Sequence, residues 1–219
     1  MVDFEVIKNS EDIKNYIRKA DESLNALGYT EHSFAHVGIV AHNVEYILGT
    51  LGYSEHDIDL AKIAAYLHDI GNVINRIEHS QSGAVMAFKI LSDLGMDSSD
   101  IATIITAIGN HDEGTGVPVN PTAAALILAD KSDVRRSRVR NRDIPSFDIH
   151  DRVNFSVASS KLTINDAKDA VYLSLVIETE YSSVMEYFEI FLERMLLCRK
   201  AADSLGLAFH FEVNGQMML

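Results

Sequence analysis

The sequence predicts a mainly α protein, with a helical bundle over residues 1–145 and a small α+β module with β-β-α-β order over residues 146–219. Apolar residues recur every three to four positions through most of the bundle segment, which is the period of an amphipathic helix. Beyond Pro145, short segments alternate apolar and polar residues, as a half-buried strand does. Hydrophobic residues make up 47% of the chain, which is enough for a packed core.

The first two predicted helices have recognisable ends. Residues 10–28 read SEDIKNYIRKADESLNALG, where Ser10 is a candidate N-cap, Gly28 a candidate stop, and an apolar stripe lies between them. Residues 32–52, HSFAHVGIVAHNVEYILGTLG, also end at a glycine. Both segments therefore fit amphipathic helices that pack on a common core.

The third predicted helix begins near SEHD, where Ser54 and Asp57 resemble a capping box with an aspartate in the acidic position. It runs to the pair His68–Asp69, and Gly71 follows directly. Three further helices fit the same apolar period, at 79–95, 97–111 and 120–136. In the first of these three, Ser80 is an alternative N-cap, which would leave His79 just outside the helix.

The last third of the chain predicts a small sheet with one long helix. The strand candidates are RVNFSV, AVYLSLVI and LAFHFEV, each with alternating apolar residues. An amphipathic segment at 182–205 separates the second from the third. These elements carry no catalytic pattern, so dimerisation or ligand sensing is the hypothesis for this module, and a homodimer is one expected partner.

Composition excludes several classes of function. The formal net charge of −13 argues against general binding of large nucleic acids, whose phosphates need a basic surface. The single cysteine, Cys198, excludes an intrachain disulfide and a thiolate zinc cluster. No apolar run reaches the ~18 residues of a membrane span, and the amino terminus shows no apolar signal segment. The expectation is a cytoplasmic protein without membrane contact.

Basic residues concentrate in one stretch, ADKSDVRRSRVRNR. One interpretation is a helix end whose positive charges favour the C-terminal dipole. The other is a local anion site. Six of the 19 basic residues lie here: Lys131, Arg135, Arg136, Arg138, Arg140 and Arg142.

Ionisable residues lie on the apolar faces of several predicted helices. His36 shares a face with Val40 and Val44, and Asp69 follows Ala61 and Ala65 at steps of four. Charged groups on core faces are costly unless something pairs with them. The whole set is His36, His68, Asp69, His79, His111 and Asp130.

Each residue of this set has an ordinary explanation by itself. A single histidine on an apolar face is usually hydrogen-bonded in the core, His68 could be a cation at a helix C-terminus, and Asp130 could pair with an arginine. Convergence favours a different explanation, because two carboxylates and four histidines in one interior destabilise each other without a strong cation. Imidazole and carboxylate are ligands that divalent metal ions accept without thiolate, and an aspartate can bridge two ions.

The ordered set resembles the HD superfamily of metal-dependent phosphohydrolases over roughly residues 30–136. The motifs that carry the resemblance are LHDIG around the His-Asp pair, SGA after His79 and LAD before Lys131. The extra histidines resemble the subgroup with a dinuclear centre, which includes HD-type diadenosine tetraphosphate hydrolases and HD-GYP cyclic-dinucleotide phosphodiesterases.

The resemblance implies an HD-domain helical bundle with two bound metal ions. Asp69 would bridge the ions, which are divalent, with iron or manganese favoured over magnesium, nickel, cobalt or zinc. The first ion would have His36, His68 and Asp130 as further ligands, and the second would have His79 and His111.

The sequence also departs from the family patterns. HD-GYP proteins carry a paired His-His and a Gly-x-Gly-aromatic-Pro motif, whereas this chain has Asn110 for the first histidine and Val117 for the aromatic residue. Asn72 replaces the usual lysine after the HDIG motif, and Ile39 replaces an arginine often found after the first histidine. The resemblance therefore implies the chemistry and leaves the substrate open.

The reaction that the resemblance implies is hydrolysis of a phosphoester or phosphoanhydride in a small phosphorylated substrate, with a nucleotide favoured. A metal-bridging hydroxide would attack phosphorus. Asp69, Lys131 and Arg136 are the candidate catalytic residues, and Arg76, Arg135 and Arg136 are the candidate phosphate contacts. Arg136 is preferred because the diadenosine tetraphosphate hydrolases resemble this chain in carrying an arginine six residues after the same aspartate.

Two alternatives keep the same ligands. The six-ligand pattern also resembles the HD-type di-iron oxygenases, which activate dioxygen. A non-enzymatic signalling module, stabilised by metal and acting through its α+β segment, is the third hypothesis. Metal identity and oxygen uptake on turnover separate the first two, and inertness toward a panel of phosphoesters would favour the third.

Overall fold

The computed structural model describes residues 2–218 and confirms a mainly α protein with a small C-terminal sheet. The helices are α1 (Phe4–Asn9), α2 (Glu11–Ala26), α3 (Phe34–Leu51), α4 (Glu55–Leu67), α5 (His79–Asp93), α6 (Ser98–Gly109), α7 (Pro121–Ser132), α8 (Ile149–Ser156) and α9 (Val184–Ser204). The strands are β1 (Val157–Ile164), β2 (Ala170–Ile177), β3 (Ala208–Val213) and β4 (Gln216–Met217).

Most predicted helix ends agree with the structure, but the helix predicted at 120–136 ends at Ser132. The side chains of Ser10 and Ser54 accept hydrogen bonds from the first turns of α2 and α4, as expected of N-caps. Gly52 follows α3 at φ 86°, a left-handed conformation that glycine adopts without steric cost. Helix α5 begins at His79 itself, so Ser80 is not its cap.

Helix α7 lies at the centre of the bundle. Its residues from Thr122 to Ala129 are all buried, and it packs against α3, α4, α6 and α9. A helix that is apolar on all sides needs neighbours on all sides. The ligand candidate at the end of α7, Asp130, is therefore surrounded by the other elements of the bundle.

The predicted strand at 152–157 is wrong. These residues form most of α8, and β1 begins only at Val157. The Asp148 side chain accepts a hydrogen bond from the Asp151 N–H and caps the helix, while Val153, Asn154 and Ser156 are buried. Three alternating apolar residues are too short a pattern to distinguish a strand from one face of a short helix.

The sheet has the order β1-β2-β3-β4. Strands β1 and β2 form an antiparallel hairpin, α9 carries the chain to β3, which is parallel to β2, and β4 adds a short antiparallel edge. Leu173 and Phe211 are buried in the sheet, and the ring of Phe211 stacks on that of Tyr187 in α9. The predicted β-β-α-β order is thus present as β1, β2, α9 and β3. Helix α8 precedes it, and the edge strand β4 follows it.

The bundle and the sheet share one continuous apolar core. Helix α9 packs against both α7 and β3. The Tyr46 hydroxyl in α3 accepts a hydrogen bond from the Ile164 N–H in β1. The division at residue 145 into two domains stays a prediction. Within residues 2–218, no helix is both long and apolar enough to cross a bilayer.

Candidate metal centre

The structure brings all six candidate ligands to one place. His36 lies in the first turn of α3, His68 and Asp69 follow the last turn of α4, and His79 is the first residue of α5. His111 follows α6, and Asp130 lies in the last turn of α7. Each ligand thus comes from a helix end, and together they are His36, His68, Asp69, His79, His111 and Asp130.

One half of the centre joins His36, His68 and Asp130. The two histidine Nε2 atoms are 3.2 Å apart, and His36 Nε2 is 3.2 Å from Asp130 Oδ1. The ligand atoms of these three residues all lie within 4.8 Å of one another. The geometry fits a shared cation, because buried imidazole and carboxylate atoms converge here.

The other half of the centre joins His79 and His111, whose Nε2 atoms are also 3.2 Å apart. Asp69 belongs to both halves, since its Oδ1 is 3.4 Å from His79 Nε2 and its Oδ2 is 3.2 Å from His68 Nε2. One carboxylate oxygen faces each half. This is the arrangement that a bridging aspartate requires.

The second ring nitrogens of three histidines are already hydrogen-bonded. His68 Nδ1 donates to the Ala65 carbonyl at 2.7 Å, and His111 Nδ1 donates to the Ile108 carbonyl at 2.6 Å. His36 Nδ1 is 2.7 Å from the carboxylate of Asp133. Such partners fix the tautomer, leaving the Nε2 lone pairs directed at the centre as metal ligation requires.

An unsatisfied buried oxygen provides a separate test of whether metal fits. Asp69 Oδ2 is buried and has no hydrogen-bond partner among residues 2–218. A buried carboxylate oxygen without a donor is costly, and two Nε2 lone pairs that face each other cannot hydrogen-bond. A cation between these atoms satisfies all of them, so the donor set fits divalent metal.

The electrostatics of the centre agree with this. Burial would lower the pKa of the His68 imidazole, but the carboxylates of Asp69 and Asp130 outweigh burial and raise that pKa to about 10. A bound cation would take the place of this extra proton and leave the Nε2 lone pair as a ligand. Burial and the nearby rings of His68 and His79 hold the pKa of His111 well below its usual range. The two carboxylates therefore attract positive charge into a buried space.

A cavity of about 430 Å³ opens onto the centre. Its volume lies in the usual range for small-molecule sites, ~300–1,000 Å³. Ligand residues form part of its wall, and cationic, acidic and aromatic side chains form much of the rest. Besides Asp69, His79, His111 and Asp130, these include Tyr29, His32, Arg76, Glu113, Lys131, Arg138, Asp148, His150, Asp151, Phe191 and Arg194.

Of the four cations predicted to act in catalysis or phosphate binding, two line this cavity. Lys131 is buried, with Nζ 2.7 Å from Asp130 Oδ2 and 2.6 Å from Glu113 Oε2. Burial opposes its charge, but these two carboxylates raise its pKa, so Lys131 is protonated. Arg76 Nη1 is 3.2 Å from His79 Nε2, and the guanidinium lies 5.8 Å from the Tyr29 ring centroid.

Arg135 and Arg136 do not line the cavity. Arg135 contacts the carboxylates of Glu31 and Asp133, with nitrogen–oxygen distances of 2.7 and 2.9 Å. Arg136 pairs with Glu178 and donates to the Phe155 carbonyl at 2.7 Å. Their role as phosphate contacts stays a prediction, without a contact that supports it.

Sequence reasoning missed several residues of this site. Asp133 follows Asp130 by three positions, a helical spacing that could have indicated it. Glu113 was visible beside His111, but nothing local connects it to Arg194. His32 also lines the cavity, and its Nδ1 donates to the Thr30 carbonyl at 2.7 Å.

The α8 segment also contributes to the cavity. His150 is exposed and lies at the cavity wall with Asp148, Asp151 and Asn154. The helix brings Asp151 and Asn154, three positions apart, to one face, whereas the period of two of a strand would place them on opposite faces.

Comparison with known proteins places the site in a family context. The family model for the HD domain matches residues 33–143. An uncharacterized protein of Methanocaldococcus jannaschii is 26% identical over 217 residues, which cover 87% of this chain and 80% of that protein. A solved structure of a predicted HD superfamily hydrolase from an uncultured Thermotogales bacterium is 26% identical, covers 60% of this chain and 73% of its own, and has a TM-score of 0.47.

Proposed function

The chain belongs to the HD domain family, and from this premise we propose that it is a metal-dependent phosphohydrolase of a small phosphorylated substrate. The observation that supports the proposal most strongly is the position of Asp69. Its two carboxylate oxygens face two groups of buried histidines, and one of them has no hydrogen-bond partner among the described residues.

The proposed ligands divide between two ions. His36, His68 and Asp130 would hold one, His79 and His111 would hold the other, and Asp69 would contribute to both. A histidine and carboxylate set without thiolate suits manganese, iron and other first-row ions. When bound, such ions lower the pKa of a water ligand and stabilise the charge that develops on a phosphoryl group.

The surrounding residues have roles of their own in this proposal. The Lys131 ammonium neutralises part of the charge on Asp130 and keeps a positive charge at the cavity wall. Arg76 is a second cation at that wall, and it binds a phosphoryl oxygen. Asp133 orients the His36 ring through its Nδ1.

A nucleotide is the substrate that we propose. The cavity is large enough for a small molecule, and its wall combines cations with the rings of Tyr29 and Phe191 and the carboxylates of Asp148 and Asp151. The cations suit a phosphate, the rings suit a flat base, and the carboxylates suit sugar hydroxyls.

The test is metal analysis with a nucleotide hydrolysis panel on protein purified with and without air. We expect about two metal ions per chain and phosphate release that a chelator abolishes. Oxygen uptake without phosphate release would favour the oxygenase hypothesis. Bound metal without turnover of any kind would favour a signalling module, and sedimentation of the same samples tests the predicted homodimer.

A further inference from the structure

Arg194 lines the cavity from α9, some fifty residues beyond the segment that the HD domain matches. It belongs neither to the six candidate ligands nor to the basic stretch at 131–142. Its side chain is 18% exposed, so it is largely enclosed by the protein and still reaches the cavity.

The Arg194 guanidinium is held in place on two sides. Its Nε donates to Glu113 Oε1 at 3.0 Å, and its central carbon lies 4.1 Å from the centroid of the Phe191 ring. Among residues 2–218, this Nε contact is its one hydrogen bond, so the two terminal amino groups keep their donors. The group is thus oriented in advance, with free donors for a ligand.

The two buried cations at this wall, Lys131 and Arg138, already have partners. Lys131 contacts the carboxylates of Asp130 and Glu113. Arg138 donates from Nε to the Glu31 carbonyl at 2.8 Å and from Nη1 to the Asp133 carbonyl at 2.7 Å. In Arg194, by contrast, neither terminal amino group has a hydrogen bond within residues 2–218.

The local charges also favour an anion. Glu113 is shared between Lys131 and Arg194, whose nitrogens approach different carboxylate oxygens. If Asp130 is a metal ligand, one carboxylate then serves two cations, and an excess of positive charge remains within the group formed by Glu113, Lys131 and Arg194. A negatively charged ligand group would balance it, in a partly water-excluded place where the attraction is strong.

We propose that Arg194 binds the anionic phosphoryl group of the substrate, so that the segment after residue 145 completes the substrate site. The identity of the anion rests on the proposed phosphohydrolase function. Glu113 is the positioning residue in this arrangement, because it fixes Nε and leaves the fork of terminal donors to the ligand.

The experiment measures binding of inorganic phosphate to the full-length, metal-loaded chain by calorimetry. We expect Arg194→Gln to weaken phosphate binding by roughly ten- to a hundredfold, the range for hydrogen bonds to charged groups. The phosphate affinity of Arg194→Lys should lie between those of wild type and Arg194→Gln, because an ammonium keeps the charge without the planar fork. Arg199→Gln is the matched control, since Arg199 is an exposed arginine of the same helix, and it should bind phosphate within about twofold of wild type.

Metal content and melting temperature are measured on every variant. If Arg194→Gln does not fold, Arg194→Lys serves instead, and we expect it to weaken phosphate binding because an ammonium cannot present the two terminal donors of the guanidinium. Equal phosphate affinity in wild type and a folded Arg194→Gln chain, or no phosphate binding by wild type, would overturn the proposal. An inactive hydrolysis panel with Arg194-dependent phosphate binding would count against the phosphohydrolase function and in favour of the anion site.

Discussion

The Nδ1 atom of His36 lies 2.7 Å from the carboxylate of Asp133, although 97 residues separate the two in the chain. Asp133 follows the last turn of α7, and His36 lies in the first turn of α3. Burial would raise the pKa of Asp133, but its bond to His36 and the nearby Arg138 outweigh burial and lower that pKa to about 2. Asp133 therefore stays ionised and holds the His36 ring with Nε2 toward the centre.

Asp133→Asn should weaken metal binding by roughly ten- to a hundredfold, because the histidine loses the carboxylate that orients it and makes it more basic. Metal titration of the purified variant measures this. Asp59→Asn is the control, since Asp59 accepts hydrogen bonds from the Phe4 N–H, remote from the cavity. Equal metal affinity in Asp133→Asn and wild type would remove Asp133 from the metal site.

Asp69→Ala should lose both metal ions at once, because one oxygen of this carboxylate faces each half of the centre. His111→Ala should lose only the ion on its own side and keep the ion of His36, His68 and Asp130. Elemental analysis of the two variants gives the comparison. A wild-type metal content in Asp69→Ala would rule out the bridging role.

Gly71→Ala should destabilise the fold and disturb the centre together. A Cβ at this position would lie 2.0 Å from the His79 carbonyl oxygen and 2.5 Å from the Gly83 nitrogen. The start of α5 would have to move away, at a cost of about 3 kcal/mol or more. Thermal unfolding and metal content are the readouts.

The control for this glycine is Gly38→Ala. Gly38 lies within α3, and a Cβ there would meet no atom within 4 Å. Alanine should therefore stabilise the helix by about 0.5–1 kcal/mol. If Gly71→Ala were as stable as Gly38→Ala and kept its metal, close packing would not explain the glycine of the LHDIG motif.

The convergence of the six candidate ligands could be predicted from the sequence for a physical reason. Each one lies at a helix end or on an apolar helical face, where the 3.6-residue period shows that a polar group such as Asp69 or His36 points inward. The same period located most of the helices. Their starts could be predicted because an N-cap such as Ser10 bonds to backbone only a few residues away.

What the sequence could not predict depends on contacts between distant segments. The pairing of Arg194 with Glu113 spans 81 residues, and no local pattern around either residue indicates it. The helix α8 was mistaken for a strand because its apolar residues are few and its N-cap, Asp148, was overlooked. The missed residue Arg194 and the mistaken helix α8 both lie after Pro145. The elements of this segment depend more on packing against the rest of the protein than on their own periodicity.

The N-terminus of α9 should make stability depend on pH in acid. Glu186 accepts from the Ser183 N–H at 2.9 Å in a capping box, and this bond, with Arg152 and Ser182, lowers the pKa of Glu186 to about 2. A lowered pKa contributes stability that is complete above the unfolded value near 4.5 and is lost as pH falls toward about 2. Glu186→Gln should therefore melt at a lower temperature than wild type at pH 7, and the difference should shrink between pH 4.5 and pH 2.

Glu189→Gln provides the comparison, because Glu189 is exposed one turn further along the same helix. It should show no such change in its melting temperature relative to wild type. A difference between Glu186→Gln and wild type that stays constant across this pH range would show that the capping carboxylate is not the group involved.

Arg136→Ala distinguishes the sequence-based hypothesis from the contacts in the structure. If Arg136 clamps the substrate phosphate, its loss should lower kcat/KM about a hundredfold, or about 2.7 kcal/mol of transition-state binding. The structure instead shows the guanidinium paired with Glu178 and lying 4.6 Å from the Phe155 ring centroid. Because this pair is more than a third exposed, the contacts predict a loss of at most ~1 kcal/mol of unfolding free energy. Steady-state kinetics on a confirmed substrate, with metal content and thermal unfolding on the same samples, separate a catalytic loss from a loss of stability. A hundredfold fall in kcat/KM with full metal content would establish Arg136 at the phosphate, through a rearrangement that brings it to the cavity.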